Sequence, residues 1–290
     1  MSDATAAFVR HRNLLFTVAY EMLGSAADAE DVLQETWLRW ARADREDVRD
    51  PRAFLVRIVT RQALNRLRTL ARRREEYVGP WLPEPLLTAP DVAEDVALAE
   101  SVSTAMLLVL ETLTPAERAV FVLREVFDLD YDEIAAAVDK SPAAVRQIAH
   151  RAREHVAARR PRASVTGAQR EAVVERFLAA ASTGDLQGLM DVLAPDVVLI
   201  TDGGGVKKAA LRPIHGRDKV LRFLVAVTPT TDVGADAALV NGGPALRVYL
   251  AGDLDAVVTV RVEDGLVHEL YFVRNPAKLT RLTEATELTR

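Results

Sequence analysis

The sequence predicts a multidomain protein: an all-helical part over about the first 160 of 290 residues, then an α+β part. Three observations carry this. Residues 1–160 hold few glycines, many Ala, Leu, Arg and Glu, and repeated helix-capping signals. After Gln169 the chain turns to runs of branched and aromatic residues bounded by turn signals. Four prolines within eleven residues (Pro80, Pro83, Pro85, Pro90) interrupt the helical part, a density that prevents helix and favours an extended connector.

The elements follow in order. Helices are expected near 4–22, 26–43, 51–74, 94–112, 115–126, 131–137 and 142–158. Ser25 can cap the second helix, and Asp50-Pro51 puts an N-cap before a proline at the first helical position. Thr114-Pro115-Ala116-Glu117 has capping-box spacing, and Ser141-Pro142 repeats the proline signal. Residues 159–166 form a second, shorter connector. A helix over 169–183 then precedes strands at 197–201, 237–240, 246–250, 256–262 and 266–273, with a helix at 217–227 between them. Glu263-Asp264-Gly265 marks a hairpin. The expected fold is a curved antiparallel sheet on helices. The domains are 1–74, a Pro-rich linker 75–95, 96–160, and 167–290.

Composition excludes several classes. Hydrophobic residues make up 49% of the chain, ample for packed cores, and no apolar run nears the roughly 18 residues that span a bilayer. Met1 to Arg12 lacks the apolar core of a signal peptide, so a cytoplasmic location is expected. With no cysteine there are no disulfides, thiolate metal sites or cysteine nucleophiles. The net charge of −5 argues at first against nucleic acid, but it is an average over opposed segments. Residues 52–74 carry eight arginines and no acid; 140–162 carry seven bases and one acid; 75–139 between them carry fifteen acids and two bases. Two basic islands on amphipathic helices suit phosphate binding.

The strongest local pattern is a helix-turn-helix at 130–155. Tyr131, Ile134, Ala135 and Val138 form one apolar side, and Asp139-Lys140 makes the turn, with Asp139 in the positive-φ position where glycine is usual. Val145, Ile148, Ala149, Ala152 and Val156 form the buried side of the second helix. Its other face shows Ala143, Ala144, Arg146, Gln147, His150 and Arg151: small residues for close approach, then groups that pair with base edges or hold phosphates. A helical hairpin with no DNA role remains the alternative. On the 51–74 helix, Arg57, Arg61, Asn65, Arg68 and Arg72 make a stripe opposite Leu55, Ile58, Val59, Ala63, Leu67 and Leu70, suited to tracking a single strand. On the 26–43 helix, Asp28, Asp31, Gln34, Glu35 and Leu38 would repel DNA and suit a basic protein partner.

Asp28-Ala29-Glu30-Asp31-Val32-Leu33-Gln34-Glu35-Thr36-Trp37-Leu38-Arg39 closely resembles the polymerase-docking motif of extracytoplasmic-function sigma factors of the sigma-70 family. Trp81-Leu82-Pro83-Glu84-Pro85 resembles the linker signature of a subgroup with a fused C-terminal SnoaL-like domain. Asp202-Gly203-Gly204-Gly205 and Asn275-Pro276-Ala277-Lys278-Leu279 match two further motifs of that subgroup. The chain departs from the family pattern at Arg61 and Asn65, where Asn and Asp are frequent, at Val206-Lys207, and at Ala277.

The resemblance implies two all-α sigma domains, the second with the helix-turn-helix, followed by a cone-shaped α+β SnoaL-like domain. It implies that Asp28, Asp31, Gln34, Glu35 and Leu38 bind the β′ clamp of core RNA polymerase, with the β flap as a further partner. It assigns Arg57, Arg61, Asn65, Arg68 and Arg72 to the −10 promoter element, and Ala143, Ala144, Arg146, Gln147, His150 and Arg151 to the −35 element. Trp81, Pro83, Glu84, Pro85, Asp202, Gly203, Gly204, Gly205, Asn275, Pro276, Lys278 and Leu279 would form regulatory contacts. In that reading, Asp202–Gly205 meets the linker and Asn275–Leu279 pins a sigma domain. No cofactor or metal is implied, and whether the SnoaL-like pocket takes a small ligand is left open. Two alternatives stand beside this one. The chain could be a stand-alone DNA-binding regulator, or a SnoaL-type cyclase or isomerase with a DNA-binding appendage. For the enzyme, Asp202, His215, Asp255 and His268 would be acid–base candidates.

Overall fold

The computed structural model describes residues 3–44, 48–159, 167–227 and 232–290. The short connector expected at 159–166 lies, apart from Arg159, outside them. The chain divides into two compact units. The first comprises Met1–Glu75, Glu94–Arg160 and Glu287–Arg290; the second comprises Glu76–Ala93 and Pro161–Thr286.

The first unit opens with α1 (Asp3–Leu23), α2 (Ala26–Arg42) and α3 (Pro51–Glu75), which pack on one another. Leu15, Met22, Val32, Leu33, Leu55, Val59 and Ala63 are all buried. Ser25 accepts from the Asp28 N–H at 3.2 Å, and Asp50 Oδ1 accepts from the Ala53 N–H at 3.1 Å. Each satisfies one of the backbone donors that a helix start leaves unpaired. Trp40 is buried and donates its indole N–H to the Ala4 carbonyl at 2.8 Å. Trp37 is half-buried, edge-on to Phe8.

After α4 (Pro90–Glu94) the helix expected over 94–112 proves to be two, α5 (Val96–Ser101) and α6 (Thr104–Glu111). Polar side chains cut the run: Asp95 accepts from the Leu98 N–H and Ser103 from the Met106 N–H, each starting a new helix. Next, α7 (Pro115–Phe121) begins with the reciprocal Thr114–Glu117 box and continues as a π-turn over Val122–Val126. The pair α8 (Tyr131–Val138) and α9 (Pro142–Ala157) is joined through Asp139 at φ 56°. Glu287–Arg290 returns to this unit: Asn13 donates to Glu287, the Thr289 N–H donates to Thr17 Oγ1, and Arg290 pairs with Asp95.

The second unit holds α10 (Gly167–Thr183), α11 (Leu186–Val192), α12 (Arg217–Val227) and a six-stranded sheet. Its strands are β1 (Leu193–Asp202), β2 (Ile214–His215), β3 (Val233–Val240), β4 (Gly243–Leu250), β5 (Asp253–Glu263) and β6 (Leu266–Val273), in spatial order 2-1-6-5-4-3. The sheet is mixed rather than antiparallel throughout, because β1 runs parallel to β6. One face is filled against the helices by Val173, Phe177, Leu199, Val220, Leu246, Val258 and Leu270. The Pro-rich segment is woven into this unit. Leu87 bridges Val240 at the end of β3 and Thr88 bridges Thr286. Leu86 N–H donates to Asn241 Oδ1 and Asn241 N–H returns to the Leu86 carbonyl.

Candidate functional sites

On α2, the 3.6-residue period that buries Val32, Leu33 and Thr36 leaves Asp31, Gln34, Glu35 and Leu38 exposed on the other side. Leu38 is 52% exposed, a large apolar side chain one helical turn after Gln34 and Glu35. Asp28 stands partly apart: Arg66 of α3 bonds it at 2.7 Å and reaches Asp31 at 2.6 Å. The remaining Asp31 oxygen and Glu35 keep the face negative.

On α3, Arg61, Asn65, Arg68 and Arg72 are exposed on one side. Arg57 lies over the Phe54 ring at 4.9 Å, and Arg68 donates to Asn65 Oδ1 at 3.1 Å. Arg61 is engaged, donating to the carbonyls of Ala136 at 2.9 Å and Ala137 at 3.4 Å. Beside this stripe a cavity of about 380 Å³ is lined by Arg39, Arg42, Ala43, Phe54, Arg57, Ile58 and Arg61. Four guanidiniums around an aromatic wall suit a base with its phosphates. Sequence periodicity did not show Arg39, Arg42 and Phe54, because they come from two helices that only the fold brings together.

On α9, Ala143, Arg146, Gln147, His150 and Arg151 are exposed, with Ala144 half-buried between them. Arg146 lies over the Tyr131 ring at 5.4 Å, which sets its direction. His150 is 3.5 Å from Glu154, one turn on.

The second unit gathers its motifs around one carboxylate. Asp202, fully buried at the end of β1, accepts from the Leu82 N–H at 2.9 Å, from Lys278 Nζ at 2.7 Å, from the Gly204 N–H at 3.1 Å and from the Tyr77 hydroxyl. Its own carbonyl accepts from the Arg274 and Asn275 N–H groups. Asn275 donates to the Tyr77 oxygen at 2.8 Å, and Lys278 reaches the Leu82 carbonyl while lying 4.2 Å over the Trp81 ring. Burial, reinforced by the Asp202 carboxylate, pushes the Tyr77 hydroxyl well above the usual tyrosine range, so it remains a donor. The glycines are steric necessities. A Cβ on Gly204, at φ +61°, would sit 2.4 Å from Asn275 Nδ2, and one on Gly203 would sit 2.2 Å from the Lys207 carbonyl. Pro83, Glu84 and Pro85 are buried beside this cluster. Asn275 and Lys278 thus bond to the linker and the end of β1 before the glycine turn, a correction to the sigma-domain contact that the resemblance implies for them. Nothing in residue spacing marks Tyr77.

The acid–base candidates do not converge. Both oxygens of Asp202 are taken by donors, as above. His215 is exposed on β2, and His268 lies 3.6 Å from Asp196. Asp255 bonds Lys207 at 2.9 Å and Arg274 at 2.7 Å; burial alone would raise its pKa, but these two cations outweigh it and hold it low. A recess of about 510 Å³ lined by Asp232–Asp236, Tyr249 and Gly252 opens at the outer β3–β4 edge. Among the described residues no group of three His, Asp or Glu is placed to hold a metal, and no helix is long and apolar enough to cross a membrane.

Comparison with known proteins settles the family. Models for sigma-70 region 2, sigma-70 region 4 and a SnoaL-like domain match residues 7–73, 103–156 and 174–270. The sigma factor SigJ of Mycobacterium tuberculosis H37Rv is 39% identical over 93% of this chain and 91% of its own length. The chain belongs to the extracytoplasmic-function sigma factors. Its sigma regions are followed by a SnoaL-like domain, and it acts as an RNA polymerase sigma factor. The crystal structure of SigJ matches this sigma factor with a TM-score of 0.77 at 35% identity, covering 96% of this chain and 99% of that one. The probable sigma factor SigI of the same organism is 33% identical over 96% of this chain and 95% of its own length. In these terms α1–α3 are region 2, α6–α9 contain region 4, and core RNA polymerase and promoter DNA are the partners.

Proposed function

We propose that the exposed Asp31, Gln34, Glu35 and Leu38 face of α2, with Asp28 at its edge, docks on the β′ clamp, and that region 4 meets the β flap. The stripe Arg57, Arg61, Asn65, Arg68 and Arg72 takes the unwound −10 element. Ala143, Ala144, Arg146, Gln147, His150 and Arg151 of α9 read the −35 element in the major groove. The observation that carries this is the separation of charge by face: acid one turn before an exposed leucine on α2, eight arginines without acid over residues 52–74 of α3. The chain makes and breaks no bond; it works in the cytoplasm by giving the polymerase its promoter.

The SnoaL-like domain is a built-in regulator. Asp202, Gly203, Gly204, Gly205, Asn275, Pro276, Lys278 and Leu279 grip the linker at Trp81, Pro83, Glu84 and Pro85, the only covalent path between regions 2 and 4. Holding that path sets the reach of one region from the other. Supporting this, one buried carboxylate takes donors from the linker and from the Asn-Pro motif.

Paired substitutions separate the faces. Arg68 and Arg72 to Ala should weaken promoter binding by the holoenzyme and reduce the salt slope by about 2, one per lost phosphate contact, with core affinity unchanged. Asp31 and Glu35 to Ala should lower core affinity instead. Equal loss of core affinity from both pairs contradicts the division.

A further inference from the structure

The sheet of the second unit ends in β3, an edge that the chain uses at one end and leaves open at the other. Two hydrogen bonds fix which way its backbone points. The Asp232 carbonyl accepts from the Ala251 N–H at 3.0 Å, on the inner side, and the Leu239 carbonyl accepts from the Thr88 N–H at 2.9 Å, on the outer side. Backbone direction alternates along an antiparallel strand, so the N–H and C=O groups of Val233, Ala235 and Ala237 point outward with those of Leu239. The linker takes the far end: Leu87 bridges Val240, and the Asn241 N–H donates to the Leu86 carbonyl. From Val233 to Ala237 no described residue pairs with the outer side, and every residue of this stretch is exposed.

Side chains along this stretch sort by face with a period of two. Gly234 and Asp236 share one face with Tyr249 of β4, which stands opposite Gly234. Because Gly234 has no side chain, Tyr249 borders the recess of about 510 Å³ noted above, which Asp232 and Asp236 also line. A Cβ on Gly234 would meet Tyr249 Cβ at an ordinary 3.8 Å, so the residue supplies room rather than a special backbone angle. The charged residues that line the recess are both acidic. Arg247 of β4 pairs with Asp236 at 2.7 Å, whereas Asp232 has no ion pair among the described residues. The other face of the strand shows Val233, 40% exposed, with the small Ala235 and Ala237.

An open edge gives affinity through its backbone and selectivity through its side chains. In an added antiparallel strand, the residue opposite Gly234 reaches the recess, where Tyr249 and the Asp232 carboxylate receive a cation. The residue two positions along faces Asp236. The residues between them turn to the other face and cover Val233. A second copy of β3 would instead bring acid onto acid, which opposes pairing. We propose that Val233–Ala237 is a docking edge for an extended segment of a partner protein, basic at alternate positions and apolar between them, which adds to the sheet as a further strand end to end with the linker. The linker segment at Leu86–Thr88 shows that this edge accepts an extended chain.

The probe is a capped, dye-labelled peptide of alternating arginine and valine, titrated with the full-length protein and read by fluorescence polarisation. One control has the same residues in two blocks; another is N-methylated at the valines, whose N–H groups would face β3. The alternating peptide should bind, and both controls should bind about tenfold more weakly or less. Ala235→Pro removes an outward donor that β4 does not use, a change an edge strand accepts. It should weaken binding about tenfold, near the upper value for one lost hydrogen bond, at an unchanged melting temperature. Gly234→Leu, which fills the recess and leaves the backbone donors, should also weaken it, and it decides the matter should the proline variant unfold. No binding, equal binding of the block peptide, or parent-like binding by the folded variants overturns the docking edge. Sedimentation that finds the parent dimeric and Ala235→Pro monomeric makes a second copy the occupant and overturns the partner.

Discussion

Asp202 shows how much one residue can organise. It is fully buried, and its carboxylate is answered by Lys278, the Leu82 and Gly204 N–H groups and the Tyr77 hydroxyl. A buried charge so surrounded is stable only while its partners remain, and removing one side leaves the other uncompensated. Asp202→Ala should therefore destabilise the second unit by about 3 kcal/mol, read as a lower melting temperature or denaturant midpoint. The importance of Asp202, Asn275 and Lys278 was legible as motifs. Tyr77 was not, because its role depends on a strand end more than a hundred residues away.

Glu21 gives a test in pH. It is fully buried, and burial pushes its carboxyl up to about 8, outweighing the Ser101 hydrogen bond and the nearby Arg118 that pull it down. The folded protein thus holds a proton more tightly than the unfolded chain, whose glutamate titrates near 4.3. Its contribution is fully present below that value and is lost as pH rises toward 8. Glu21→Gln should flatten the fall in melting temperature between about pH 5 and 8; an unchanged pH profile would show that Glu21 does not carry it. Sequence held one unused signal for this cluster. Arg118 and Arg124 are the two bases among fifteen acids from 75 to 139, and Arg118 adjoins the buried Ala119-Val120-Phe121 run.

At the scale of elements, local chemistry was legible and long-range pairing was not. The Ser25, Asp50, Thr114 and Ser141 caps open helices as their side chains dictate. The turn before α9 does place Asp139 at φ 56°, a left-handed position that costs a β-carbon-bearing residue. Asp139→Gly should raise stability by about 0.5 kcal/mol, the relief of that cost less the added freedom of the unfolded chain. Denaturant unfolding of the full protein checks it. The split between α5 and α6 was missed because Asp95 and Ser103 sit inside a run with helical composition, where only their hydrogen bonds show that they are caps. The parallel pairing of β1 with β6 was missed for a different reason. Strand composition carries no direction, and the two strands are separated by the whole intervening sheet.

At the scale of the whole molecule, the net charge of −5 conceals the arrangement that matters. Acid is presented on α2 and arginine on α3 and α9. The linker between the two sigma regions belongs structurally to the SnoaL-like unit, through β3, Thr286 and Asp202. A domain that owns the linker can govern what the linker joins, and this is the central claim. Run-off transcription tests it most directly, with core polymerase, a promoter-fragment pool, and either the parent protein or Lys278→Met. Defined start sites are expected with both proteins and a changed yield with the variant, since Lys278 joins Asp202, Leu82 and Trp81 and is not among the residues proposed to meet DNA. Equal yield from a variant shown to have lost the linker contact would contradict the regulatory role, and an absence of defined starts with the parent would contradict the account as a whole.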